Sequence, residues 1–325
     1  MIGGNINRQL WLSLPTFWRC FFLFGGMFFI TTDVAFNQEP VIAFSMGHQH
    51  SNIFLIDEEG KLEPLNLTQQ EAQGQRNGHP TWSPDGTQIA FDTNRKGNAN
   101  YEIFLMNFDG ANPKNLSKSE KDDKEPAWSP KGNKICFKSK RDGNWEIYLM
   151  NANGQNPIRL TNHPKTDKEP NWSPDGKSIV FTSNRNGGNW DIYKMDADGQ
   201  NVILLTDDPA KDDRASWSPD GRQIAFTSTR DGKGAAIYTM DAIDGQNVKK
   251  IAKAGVAPYW SPDGTKMVYT APAQPLRLAI RDLAQKKDID TGIVAHIYFP
   301  SWKGAQWSPI ELIEKLNTFW GVMKQ

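Results

Sequence analysis

Trp82-Ser83-Pro84-Asp85-Gly86 opens a pattern whose recurrence decides the fold. The same five residues return at Trp172, Trp217 and Trp260, and at Trp128 with Lys131 in place of the Asp. Successive tryptophans lie 46, 44, 45 and 43 residues apart. A self-similar unit of that length holds four short strands, the content of one propeller blade.

Within a unit the strands read in order. From Pro170 the blocks are Pro170 to Gly176, Ile179 to Gly187, Asp191 to Gly199 and Val202 to Thr206. Each is strand-length and bounded by Gly, Pro or Asp, the punctuation of hairpins. Pro-Asp-Gly sets a tight turn between the first two strands, because Pro fixes φ and Gly accepts a positive φ. Asp109-Gly110, Asp198-Gly199, Asp244-Gly245 and the variant Asn153-Gly154 turn the chain between the third and fourth. Ile103 and Leu105 alternate with Phe104 and Met106, so the third strand is apolar on both faces and needs cover on both.

The two ends of the array complement each other. Residues 41–68 supply Val41-Ile42-Ala43-Phe44, Ile53-Phe54-Leu55-Ile56 and Leu65-Asn66-Leu67-Thr68, without a Trp strand before them. Phe299-Pro300-Ser301-Trp302 supplies a Trp strand with nothing after it. Joining the two removes an open sheet edge. The fold class expected is therefore all-β, a six-bladed propeller closed by a C-terminal strand. Trp307-Ser308-Pro309 is a rival closing strand. The domain reading is a leader at 1–35, the propeller at 36–307, and a short amphipathic helix at 308–325. That helix is read from the capping-box spacing of Ser308 and Glu311 and from Leu312, Leu316, Phe319 and Trp320.

Composition narrows the function. Lys plus Arg equals Asp plus Glu at 37 each, so no basic surplus tracks phosphates and a nucleic-acid partner is not expected. Arg8 and Arg19 precede an apolar run from Phe21 to Ile30, the pattern of an export signal with cleavage near Ala35. Read without cleavage, the same run is a membrane tether. The place implied is periplasmic or extracellular, and the state a monomer. Cys20 and Cys136 are the two cysteines; Cys136 stands where other units have Ala or Val and reads as a small buried hydrophobe.

The repeated line P-x-W-S-P-D-G, I-x-F-x-S-x-R, I-Y-x-M, D-G, L-T resembles the TolB-like β-propeller family over residues 41–302. The resemblance implies a propeller, usually exported in bacteria and most often used for protein binding. Related blades occur in peptidases of the prolyl-oligopeptidase type and in some lyases. TolB itself carries an α/β domain ahead of its propeller, whereas few residues separate this leader from Val41, so the resemblance is to the propeller alone.

Strand order assigns the loops. The Pro-Asp-Gly and Asp-Gly turns fall on one face, and the variable, charged connections on the other. The second face is the functional candidate. It carries Arg95, Arg141, Arg185 and Arg230 in loops between second and third strands, and Asp123, Asp167 and Asp212 in connections between blades. Three residues before each Trp, His79, Glu125, Glu169 and Arg214 are expected to line the channel mouth. Read structurally, each arginine except Arg230 pairs with the acid opening the third strand of its blade: Glu102, Glu146 or Asp191.

His48, His50 and His79 are the candidates for a metal, as in propeller lyases. Asp196-Ala197-Asp198-Gly199 resembles part of a calcium loop but lacks the distal Glu, so a hairpin turn explains it. No G-x-S-x-G, H-E-x-x-H or phosphate-binding Gly loop occurs. The leading expectation is a non-catalytic protein- or peptide-binding propeller without a cofactor, in which replacing Glu125, Glu169 or Arg214 leaves folding intact. The alternative is a metal-dependent lyase or hydrolase acting on a saccharide.

Overall fold

The computed structural model describes residues 41–47, 50–57, 63–69, 74–95, 100–273, 275–294 and 296–303. The leader, His48, Trp307 and the 308–325 segment lie outside them. The described residues fall in a compact unit spanning 38–325.

They form six antiparallel four-stranded sheets. The inner strands are Asn77–Trp82, Asp123–Trp128, Asp167–Trp172, Asp212–Trp217, Val256–Trp260 and Ile297–Trp302. The second strands are Val41–Met46, Gln88–Thr93, Lys134–Ser139, Ser178–Ser183, Gln223–Ser228 and Lys266–Ala271. The third strands are Asn52–Asp57, Glu102–Asn107, Glu146–Asn151, Asp191–Asp196, Ala236–Asp241 and Arg277–Asp282. Outer strands are mostly two residues long, such as Ile158–Arg159, which keeps the exposed edges short.

Each inner strand packs against the next, and Ile297–Trp302 packs in turn against Asn77–Trp82, so the ring closes. Blade 1 takes its inner strand from the chain's end: Ile42 pairs with Trp302 and Ala43 with Ser301. Trp302, not Trp307, therefore marks the closing strand. Blades 2 to 6 follow in chain order from Asn77.

The core lies between blades. Trp172, Phe181 and Tyr193 of blade 4 pack on Ala127, Cys136, Ile147 and Leu149 of blade 3, and the same layering recurs around the ring. Cys136 is fully buried, and burial pushes its thiol well up. The Ser-Pro-Asp-Gly turns explain their own sequence. Ser173 Oγ donates to Asp175 Oδ1 at 2.6 Å and accepts from Ser178 N–H at 2.9 Å. At Asp175 the Ser173 hydroxyl and the Lys177 N–H hold the carboxyl below its usual range. Where Lys131 replaces the Asp, Asn133 Oδ1 takes over and accepts from Ser129 Oγ at 3.1 Å.

Candidate functional site

Every inner strand carries a bulge near the loop face. The bulged residues are His79, Glu125, Glu169, Arg214, Ala257 and Phe299, all with φ between 47° and 58°. None is glycine, so each costs about 1–3 kcal/mol of backbone strain that surrounding contacts must outweigh. Pairing with the second strand breaks at these points, for example between Lys168 and Asn171. The next residue is Pro in five of the six: Pro80, Pro126, Pro170, Pro258 and Pro300. A Pro has no N–H to leave unsatisfied where the ladder is interrupted.

Four of the bulged N–H groups are satisfied from the preceding blade. Glu125 N–H donates to Asp92 Oδ2 at 2.9 Å, Glu169 N–H to Glu125 Oε2 at 2.8 Å, and Arg214 N–H to Glu169 Oε2 at 3.0 Å. Ala257 N–H donates to Thr227 Oγ1 at 3.1 Å. A belt of side-chain acceptors thus links blades 2 to 6. Cations sit on it: Lys138 Nζ lies 2.5 Å from Glu125 Oε1, and Lys168 Nζ lies 3.1 Å from Glu169 Oε1. At Glu169 burial pushes the carboxyl up, but Lys168, Arg214 and Lys138 outweigh it and bring it to about 2. His79 Nδ1 lies 2.6 Å from Asp92 Oδ2.

Of the residues expected at the channel mouth, His79, Glu125, Glu169 and Arg214 line it, while Asp123, Asp167 and Asp212 do not. Glu125 and Glu169 are nevertheless also structural, since each carboxylate accepts a neighbour's backbone N–H. Replacing either removes a bond between blades. Arg214 is different: its side chain only approaches Glu169, at 3.6 Å.

The mouth is lopsided. At the bulged position blades 2 to 5 contribute His79, Glu125, Glu169 and Arg214, whereas blades 6 and 1 contribute Ala257 and Phe299. Phe299 stacks on His79 with ring centres 3.6 Å apart, and the Arg214 guanidinium lies 5.5 Å from the Phe299 ring. Tyr259, and Asn171 of blade 4, also line the mouth. Between these groups lies a cavity of about 110 Å³.

The loop-face arginines form a repeated clamp. Arg141, Arg185 and Arg230 donate from Nη2 to Asp123, Asp167 and Asp212 at 2.9, 2.7 and 2.8 Å, and from Nε to Ser139, Ser183 and Ser228. Each guanidinium lies over two rings, such as Phe181 and Tyr193 at 5.2 and 5.0 Å. The partner is therefore the Asp that opens the inner strand, not the acid that opens the third strand. Glu146 is taken instead by the Thr161 hydroxyl, the His163 N–H and Arg159. The three Asp side chains have no exposed surface. At Asp123 burial wins over Ser139 and Arg141 and pushes the carboxyl up to about 6.

Sequence reading missed three half-buried aromatics on this face. Tyr101, Trp145 and Trp190 immediately precede the third strands of blades 2, 3 and 4. Lysines cap them: Lys124 at 3.3 Å from Tyr101, Lys138 and Lys140 at 4.6 and 4.8 Å from Trp145, and Lys168 at 4.3 Å from Trp190. The signal was present as Asn-Tyr-Glu-Ile, Asn-Trp-Glu-Ile and Asn-Trp-Asp-Ile. Its Asn ties the loop down; Asn144 Nδ2 donates to the carbonyls of His163 and Lys165.

The histidines are dispersed in their bonding. His50 Nδ1 accepts from Gly74 N–H at 2.8 Å, and His79 is held by Asp92 and Phe299. Among the described residues no three His, Cys, Asp or Glu converge as a metal would need, and His48 lies outside them. Asp198 accepts Gln200 N–H at 3.0 Å, as a hairpin turn requires.

Six four-stranded sheets in a ring, closed by a terminal strand, define a six-bladed β-propeller. The TolB β-propeller domain family matches at residues 44–148, 124–203 and 186–292, and the chain belongs to that family. Among solved structures it is similar to TolB from Acinetobacter baumannii (TM-score 0.71, 22% identity, covering 82% of this chain and 67% of that one). A protein from Agrobacterium tumefaciens assigned as TolB gives 0.62 at 22% identity, over 78% and 88%. Oligogalacturonate lyase from Vibrio parahaemolyticus gives 0.52 at 14%, over 74% and 70%. At these identities the likeness is one of fold.

Proposed function

We propose that this chain is an exported, non-catalytic propeller that binds a protein or peptide partner through its charged loop face and channel mouth. The observation that carries this reading is the mouth itself: a cavity of about 110 Å³ whose bulged positions are polar or charged in blades 2 to 5 and apolar in blades 6 and 1. Small-molecule sites run to about 300–1,000 Å³. A space this small takes a side chain, leaving the rest of a contact to the surrounding loops. Those loops present Tyr101, Trp145, Trp190 and the clamped arginines, the residue types that dominate protein interfaces. Membership of the TolB family supports the same reading, and the basic and apolar leader supports export.

The test is capture of partners from the native envelope fraction, with and without chelator, by wild type and by Arg214→Ala, Trp145→Ala and Trp190→Ala. The variants are expected to melt like wild type and to lose the captured partner. Equal capture by all three would refute the reading. Chelator-sensitive cleavage of an oligogalacturonate, abolished by His79→Ala, would replace it with the saccharide lyase.

A further inference from the structure

Three blades carry a complete arginine clamp, and blade 2 carries one without its carboxylate. The Arg95 guanidinium lies 5.4 Å from the Phe91 ring and 5.2 Å from the Phe104 ring, the same sandwich that holds Arg141, Arg185 and Arg230 at 4.8–5.6 Å. Its backbone N–H reaches Thr93 Oγ1 at 3.1 Å, as Arg185 N–H reaches Ser183 Oγ at 3.2 Å. The cation is thus held in the same place by the same framework. What differs is the counter-ion. Asn77 stands where Asp123, Asp167 and Asp212 stand in the other blades. Its Nδ2 donates away from the arginine, to the Ser51 carbonyl at 3.0 Å. Among the described residues Arg95 Nε has no partner and no carboxylate pairs with this guanidinium. Burial lowers its pKa with no carboxylate acting against that.

Nearby acids are already engaged. Glu102, the acid expected to pair with Arg95, instead accepts from the Ser117 hydroxyl and the Ser119 N–H; Asp92 serves His79 and Glu125 N–H, and Asp122 accepts Tyr101 N–H at 2.8 Å. Arg76, whose N–H donates to Asn94 Oδ1 at 2.7 Å, and Lys124 both contact Tyr101, so further cations flank the position. A guanidinium fork matches a carboxylate in shape and charge.

We propose that Arg95 is an anion-binding residue whose counter-ion comes from outside: a carboxylate of an acidic segment of the protein partner, occupying in blade 2 the role that Asp123, Asp167 and Asp212 play internally. This rests on the protein-binding reading and names the chemistry of what is bound. A carboxylate is the group the sister clamps demonstrably hold. The balanced charge of the chain argues against a polyphosphate.

The experiment follows the Arg95 Nε–H signal by heteronuclear NMR in the full chain while a blocked tetraglutamate peptide is added. The signal is expected to shift saturably, and a tetraglutamine control to leave it in place. Asn77→Asp supplies the missing carboxylate from within, at the position that pairs with Thr93. That variant is expected to bind the peptide roughly tenfold more weakly, as loss of one charge-assisted hydrogen bond implies. Arg95→Gln gives an equal loss of binding. A peptide that leaves the Arg95 signal unmoved, or that binds both variants as tightly as wild type, overturns the proposal. A stronger response to trigalacturonate than to the peptide also overturns it. Partner capture lost in Arg214→Ala but kept in Asn77→Asp and Arg95→Gln leaves the mouth reading standing and sinks this one. The opposite pattern does the reverse.

Discussion

Replacing Trp302 with alanine asks whether the seam of the ring is as strong as its interior. Trp302 is 3% exposed and packs with Ile42 and Phe44 of blade 1 and with Val268 and Ile280 of blade 6. Its indole N–H donates to the Tyr259 carbonyl at 3.2 Å. Truncating a buried Trp costs about 3–5 kcal/mol in lost burial and cavity formation, and the lost hydrogen bond adds about 1 kcal/mol. Trp172 is the internal control: it is 8% exposed and packs between blades 3 and 4 in the same way. Trp302→Ala is therefore expected to cost at least as much as Trp172→Ala. In urea, with a slope of about 3 kcal/mol/M, either variant lowers the midpoint by roughly 1–2 M. A cost for Trp302→Ala below about 1 kcal/mol, beside several for Trp172→Ala, would show the last strand to be a loose end. The closed ring would then not be what holds the domain together.

Three further outcomes follow from the site. Glu169→Ala leaves the Arg214 N–H and the Thr182 hydroxyl without their acceptor and is expected to cost about 2–3 kcal/mol, whereas Arg214→Ala stays within about 1 kcal/mol; urea melts compare them. Asp123 titrates at about 6 in the folded protein against about 3.9 unfolded. The folded state holds that proton more tightly, so the group's contribution to stability falls as pH rises from about 4 through about 6. Wild type should therefore lose ground relative to Asp123→Asn over that window, and Arg141→Gln should move the carboxyl titration higher still. Gly245 has φ of +76°, and a Cβ there would sit 2.0 Å from the Leu205 carbonyl oxygen. Gly245→Ala is expected to cost more than about 1 kcal/mol, read as a lower melting temperature.

The architecture was legible because one period carries it. Trp-Ser-Pro-Asp-Gly marks each inner strand and its turn, and the missing and surplus strands at the two ends fit each other. The mouth was legible only as positions. Nothing about His79, Glu125 or Phe299 as residue types announces a positive φ, since that conformation is imposed by contacts between blades. The proline after the bulge was visible, but its meaning emerges only when the interrupted ladder is seen. The arginine partners were undecidable for a simpler reason. In blade 3 the register sets Asp123 and Glu146 on either side of Ser139, so both acids flank the loop that carries Arg141. Blade 5 settles the matter: Ala236 replaces the third-strand acid there, and Arg230 still holds Asp212. The aromatic arc went unread because Tyr101, Trp145 and Trp190 sit one residue outside the strand pattern.

The pairing of Val41–Met46 with Ile297–Trp302 also sets a timetable. On a ribosome the first of these segments emerges before the other five blades and its mate only after them. Until then one side of Val41–Met46 has bare amides and carbonyls, the kind of surface that recruits other chains. Five blades can assemble as they are made, while the remaining one waits. A nascent or truncated product is for that reason the form of this protein most in need of a chaperone.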